Sequence, residues 1–405
     1  MRNIEYKEIV FSLFLLWPPI YFCASSILGL QIEEGDGAPG YVYGLLILGI
    51  LSTYYVFLKG FNFIINNVCF TIIIPLFMVM EFLFESAFNK EPAFQYMSYF
   101  LGFCIPAIFI GVYIANTGGI KNYTKWFDIV MILLTLGLIY ALPNIVFLSV
   151  ISLGGASYQQ MAYVAGLAFT MNLTGLLFGN NYVRFKFTKY PLVKFLFYLF
   201  LVIQLVCCLY SGGRGGFIYL IGCSLMLLLY KKKYSYLLYV VGLLFLLYLV
   251  SFMLQGSHFA DVLSVRMERT FSFIGESGID KQNRGEVWND AALLFQESNG
   301  LGIGLFSYFN IMRVRYNQPY AHNFFLEILI QGGVYYFLFW VILLAKFFKK
   351  FYRLITRKRC ESLLIVLFLY PFIELMFSAT YLQSTLFWFT LSYVFSIPNK
   401  TNCKS

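Results

Sequence analysis

The chain has 405 residues, of which 60% are hydrophobic, 20% aromatic and only 12% charged, with a formal net charge of +10. Soluble globular domains carry roughly 25% charged residues, so this composition excludes a soluble enzyme, a disordered chain and a disulfide-stapled secreted module. It leaves an all-α integral membrane protein, since a transmembrane barrel reads as short alternating segments rather than long apolar runs.

A helix needs about 20 apolar residues to cross the hydrocarbon core. In chain order, apolar runs fall near 9–30, 41–58, 68–84, 95–116, 126–153, 161–179, 191–210, 217–230, 236–254, 321–345, 361–379 and 380–397. The expectation is a single polytopic domain over residues 1–405 with about twelve spans. The first run follows Arg2 and Lys7 as a signal peptide does, but its cleavage-like Ala24-Ser25-Ser26 lies inside the run, so a retained helix is expected.

With the N-terminus in the cytoplasm, Lys121, Lys125, Arg184, Lys189, Lys231 and the basic tract 346–359 share the cytoplasmic side. Glu33, Glu34, Asp36, Glu85 and Glu91 fall outside. This alternation puts both termini in the cytoplasm and explains the positive charge without nucleic acid. None of the eight cysteines has CxxC or Cys/His spacing. They read as small buried hydrophobes, with neither disulfides nor metal expected.

Between spans 9 and 10, residues 255–320 form one long polar segment, expected on the non-cytoplasmic side. It carries Arg266, Arg269, Arg284, Arg313 and Arg315 among several acids. Within it, Val287, Ala291, Leu294 and Phe295 recur at helical spacing, which predicts an amphipathic helix over 284–297 stopped by Ser298, Asn299 and Gly300. Gly300-Leu301-Gly302-Ile303-Gly304 lacks nucleotide-binding spacing and reads as a flexible turn that lets the segment fold back.

The candidate chemistry sits at membrane edges. In Ser211-Gly212-Gly213-Arg214-Gly215-Gly216, glycines let the backbone approach a ligand, and an arginine at the membrane edge needs a partner or water. Arg214 is read as an anion-binding group, with snorkelling as the plainer alternative. Arg284, followed one turn later by Trp288, offers a second guanidinium; Arg266 and Arg269 are weaker counterparts. Tyr320-Ala321-His322-Asn323 opens the tenth span, where a neutral imidazole accepts a proton from a hydroxyl near neutral pH; helix capping is the alternative for His322 and Asn323. Glu327 shares a helix face with Asn323. Tyr158-Gln159-Gln160 presents aromatic and amide groups suited to sugars. The roles of the membrane acids Glu81 and Glu374 stay open.

These residues resemble the bacterial O-antigen polymerase and O-antigen ligase superfamily. The resemblance rests on the S-x-x-R-G stretch at 211–215 and on the block 284–333: Arg284 with Trp288, the G-x-G-x-G turn, His322-Asn323 and Gly332-Gly333. Gly212-Gly213 departs from the commoner form, which has serine before the arginine. The resemblance implies a GT-C-like scaffold in the bacterial inner membrane and metal-independent, inverting glycosyl transfer at the periplasmic face, without a cofactor. The implied donor is a glycan on undecaprenyl diphosphate. The acceptor is another lipid-linked repeat unit in a polymerase and lipid A core in a ligase; polymerase is the reading taken here. Arg214 and Arg284 then hold diphosphate, and His322 serves as base or orients the acceptor. Tyr158, Gln160, Arg266, Arg269, Tyr320 and Asn323 are substrate-binding candidates. The implied partners are the lipid-linked donor and acceptor, membrane lipid and, as an option, a chain-length regulator protein. A lipid-linked oligosaccharide transporter is the rival from another class, although the sequence lacks the duplicated halves of many transporters.

Overall fold

The computed structural model describes residues 6–30, 39–85, 91–147, 153–232, 284–316, 320–357 and 362–398. These residues are helical, apart from turns and one isolated bridge between Leu153 and Ala156.

The first apolar run is not one straight span. It forms α1 (Tyr6–Leu15) and α2 (Trp17–Ile27), bent by 83°. Pro18 and Pro19 explain the break: proline lacks an N–H to continue the preceding helix but fits a helix's first turn. Then follow α3 (Pro39–Asn66), α4 (Ile74–Phe84), α5 (Glu91–Tyr99), α6 (Ile105–Asn116), α7 (Thr124–Phe147), α8 (Tyr158–Phe178), α9 (Pro191–Ser211) and α10 (Arg214–Lys231).

Among the described residues, seven helices are long and apolar enough to cross a membrane, or eight if the bent pair counts as one span. These do not confirm the expected twelve. Cys69–Phe84, Leu363–Phe377 and Thr385–Ser396 are apolar but shorter, and the expected span at 236–254 lies outside the described residues. Composition measures an apolar run, whereas the helix inside it ends wherever a polar turn interrupts hydrogen bonding.

α8 is the central helix, 89% buried along its apolar stretch against 22% for α3 at the rim of the bundle. Small residues explain why neighbours approach α8 closely. Ala162, Ala165, Gly166 and Ala168 are all enclosed, and α7, α9, α10 and the later helix α14 (Leu363–Phe377) surround them.

The basic segments meet at one end of the bundle. The Val183 amide donates to the Lys121 carbonyl at 3.4 Å, and Thr124 Oγ1 donates to the Val183 carbonyl at 2.9 Å. Arg184 forms a fork to Asp128 at 2.7 and 2.9 Å and donates to the Gly175 carbonyl at 2.9 Å. The bidentate geometry and the third acceptor compensate for removing this charge pair from water.

At the other end, the expected amphipathic helix is α11 (Arg284–Glu297), with Val287, Ala291 and Leu294 buried. Asn299 and Gly300 end it in left-handed conformations (φ 51° and 78°). A short helix absent from the sequence reading follows, α12 (Ser307–Tyr316). The Glu85 carboxylate accepts the Ser307 amide at 2.6 Å and the Phe306 amide at 3.1 Å, which satisfies two of the donors that open it.

α13 (Phe324–Arg357) is broken at Gly332 and Gly333. Unpaired backbone groups are costly inside a membrane, and the break would orphan several. The glycine-rich turn fills it: the Ile303 and Gly304 amides donate to the Ile330 and Gln331 carbonyls, each at 2.9 Å, and the Val334 amide donates to the Gly300 carbonyl at 3.0 Å. A Cβ on Gly302 would lie 2.5 Å from the Gly333 nitrogen, and one on Gly333 would lie 2.3 Å from the Gly300 oxygen. The turn expected to be flexible is therefore the piece that completes a broken helix. α14 and α15 (Thr385–Ser396) close the bundle.

Candidate functional site

The starts of α8 and α10 and the ends of α9 and α14 meet in a small cleft. Tyr158, Gln159, Arg214, Phe377 and Ser378 are among its walls. Arg214 is the first residue of α10. Gly212 and Gly213 turn the chain into it, and Gly212 adopts a left-handed φ of 70° that a side chain would strain. A guanidinium at a helix N-terminus adds its charge to the positive end of the helix dipole, an arrangement that favours an anion.

The other glycines of this segment serve packing rather than ligand approach. A Cβ on Gly213 would sit 2.5 Å from the Ala162 Cβ, and one on Gly216 would sit 2.4 Å from the Ala162 carbonyl carbon. They let α10 lie directly on α8, which brings Arg214 beside the Tyr158–Gln160 turn. Ser157 caps that turn by accepting the Gln160 amide at 3.4 Å.

A chain of hydrogen bonds runs from this cleft to Tyr320, whose ring packs against that of the histidine. Gln159 Nε2 donates to the Tyr158 hydroxyl at 3.3 Å, and Ser378 Oγ donates to Gln159 Oε1 at 3.1 Å. The Tyr320 hydroxyl donates to the Ser378 carbonyl at 2.5 Å, and the Tyr320 and His322 rings lie 4.5 Å apart. Arg214 and His322, more than 100 positions apart in sequence, thus belong to one connected set.

His322 has a left-handed φ of 53°, a conformation that costs a non-glycine residue about 1–2 kcal/mol. Its neighbours hold it there. The Ala321 amide donates to the Tyr308 hydroxyl at 2.6 Å, and Asn323 Oδ1 caps α13 by accepting the Phe325 and Leu326 amides at 3.0 and 3.2 Å. Burial pushes the Tyr308 and Tyr320 phenols well above their usual range, so both remain neutral hydroxyls. The capping reading applies to Asn323, whose side-chain oxygen is committed to the helix; His322 is the residue the turn presents.

Behind this turn, Glu327 is fully buried, bonded by Thr380 Oγ1 and by Gln331 Nε2 at 3.4 Å. It ties α13 to the connection that carries Ser378. Gln160 Nε2 donates to Glu374 Oε1 at 3.3 Å, so this residue faces a carboxylate. Glu81 is partly exposed on α4.

The remaining expected arginines are placed less fully. Arg284 begins α11, which packs on α13, and its side chain lies outside the described residues. Arg266 and Arg269 also lie outside them. Trp288, one turn after Arg284, buries its indole N–H without a partner among the described residues. Sequence reasoning passed over Ser378, Gln159 as a connector, and Tyr308. Ser378 sits in the polar break before Thr380, which was legible only as the end of a span.

Comparison with known proteins gives one finding at family level. Residues 199–341 match the family model described as O-Antigen ligase, Wzy_C. The matched stretch contains Arg214, α11, the glycine-rich turn 300–304 that zips onto the break in α13 (the zipper) and His322. No curated protein matches the chain.

Proposed function

We propose that this O-antigen-ligase-like membrane protein is a surface polysaccharide polymerase. It transfers a glycan from undecaprenyl diphosphate onto another lipid-linked repeat unit, by inversion and without metal, at the periplasmic face of the bacterial inner membrane. The observation that carries this reading is the link between Arg214, at the start of α10, and His322, through Gln159, Ser378 and Tyr320. It supports pairing an anion-favouring group at the cleft with a proton-accepting group next to it, and both Arg214 and His322 fall inside the family-matched stretch.

In the proposed step, an acceptor sugar hydroxyl attacks the anomeric carbon of the donor. The bond from that carbon to the diphosphate oxygen breaks as the new glycosidic bond forms, and the hydroxyl proton passes to the His322 imidazole. Arg214, with Arg284 from α11, holds the diphosphate as negative charge grows on its departing oxygen; a planar fork suits this better than a point charge. General-base assistance of this kind contributes roughly 10²–10⁴ in rate. Tyr320 and Asn323 orient His322, while Tyr158, and Gln160 together with its carboxylate partner Glu374, contact sugar.

The family description favours one second reading, a ligase that transfers the same donor glycan to lipid A core. The lipopolysaccharide pattern of a deletion strain separates the two. A single repeat unit on core is the polymerase outcome; bare core with long lipid-linked polymer is the ligase outcome. For the orientation, a reporter fused after Asp290 is expected to read as periplasmic and one after Lys189 as cytoplasmic; a cytoplasmic signal at Asp290 would put α11 on the wrong side.

A further inference from the structure

Arg214 opens α10 and lines the cleft. Beside the cleft, one helical turn before its lining residue Ser378, α14 carries Glu374. Two cross-links join the start of α8 to the end of α14: Ser378 to Gln159 at 3.1 Å, and Gln160 to Glu374 at 3.3 Å. Phe377 and Ser378 line the cleft, and Glu374 lies about 6 Å further back along the same helix, by the rise of four residues.

Two features separate Glu374 from an acid that merely locks helices together. Glu327 is sealed at 0% exposure, whereas Glu374 keeps part of its surface open. The described ion pairs are Lys125–Glu8, Arg184–Asp128 and Arg315–Glu297, so no described cation neutralises Glu374. A carboxylate in a membrane helix is expensive and marks function. It offers about four acceptor positions, of which the Gln160 amide takes one. Like charge keeps it from facing diphosphate. What it accepts is neutral O–H donors, and the neighbouring amide supplies both donor and acceptor to the same group.

We infer that Glu374 and Gln160 form the sugar-hydroxyl subsite beside the cleft, apart from the diphosphate site at Arg214. This assignment rests on the glycosyl-transfer reading above. Glu374 binds the polyhydroxylated ring next to the diphosphate, so the enzyme distinguishes a glycosylated lipid diphosphate from the bare lipid diphosphate that it releases.

The test uses the full-length protein reconstituted in liposomes with an undecaprenyl-diphosphate-linked repeat unit, and undecaprenyl diphosphate as competing probe. Glu374→Gln keeps the shape and the bond to Gln160, and its melting temperature in detergent should match the wild type. Its KM for the glycosylated lipid should rise about tenfold or more, the loss expected for one charge-assisted hydrogen bond. Inhibition by undecaprenyl diphosphate should stay within about twofold of wild type, since Arg214 is untouched; in Arg214→Ala, which should form no product, direct equilibrium binding of undecaprenyl diphosphate should be lost. An unchanged KM in Glu374→Gln would reduce the Gln160 contact to a helix tie and overturn the subsite, as would equal weakening toward both lipids. Wild-type protein that forms no glycosidic bond at all would instead overturn the function, and the subsite with it.

Discussion

Two glycine-rich segments, 211–216 and 300–304, look alike in the sequence and do different work in the structure. In the first, Gly213 and Gly216 face the side chain and backbone of Ala162 on a neighbouring helix, and their purpose is a close helix pair that aims Arg214. In the second, Gly302 meets the backbone of a broken helix, and its amide neighbours replace the bonds lost at Gly332 and Gly333. The first fails by moving two helices apart. The second fails by leaving polar backbone unpaired in a membrane, which is the costlier fault.

Substitutions break this comparison in order of size. Gly302→Ala and Gly333→Ala should have the largest effect, because each Cβ would fall within 2.5 Å of backbone and both positions have positive φ (88° and 66°). Little monodisperse protein should survive size exclusion in detergent; normal yield would show that the zipper is dispensable. Gly216→Ala should come next. Its Cβ would meet the Ala162 backbone at 2.4 Å, so the protein should fold with a lowered melting temperature while polymer formation falls at least tenfold, an order-of-magnitude expectation for a displaced binding group. Full activity there would detach the α8–α10 contact from Arg214.

Gly300→Ala isolates backbone strain from crowding. Its φ is 78°, but the nearest atom to an added Cβ is Phe295 at 3.5 Å. A loss of about 1–2 kcal/mol is expected in denaturant titration, with activity retained. Gly222→Ala is the smallest change: nothing lies within 4 Å, and alanine is the better helix former, by up to about 1 kcal/mol. Destabilisation at Gly222 would count against reading these positions from local space.

The same contrast explains what the sequence could reveal. α11 was legible to its ends, because Val287, Ala291 and Leu294 repeat at helical spacing and Ser298-Asn299-Gly300 stops the helix locally. Charge spacing grouped the basic segments 121–125 and 184–194, and the Val183 to Lys121 contact brings these two together. The zipper was not, since its meaning depends on a partner some thirty residues away. Nor was the bend at Leu16, where hydropathy stays high while Pro18 and Pro19 interrupt the backbone. α12 escaped because its polar residues hide the buried stripe of Tyr308, Phe309 and Met312. In the site, Arg214, Tyr158 and His322 stood out as chemistry at a membrane edge. Ser378 did not, and Glu374 stood out only as a membrane acid without a role, because the contacts of both are with Gln159 and Gln160 more than 200 residues earlier.

The central claim concerns what the cleft joins together. Purified protein in liposomes, given only undecaprenyl-diphosphate-linked repeat units, tests it most directly when chain growth and released undecaprenyl diphosphate are measured together. The account predicts a ladder of lengthening chains, one lipid diphosphate released per new linkage, and loss of both in Arg214→Ala. Wild-type chain growth in Arg214→Ala, or no product until lipid A core is added, would contradict it.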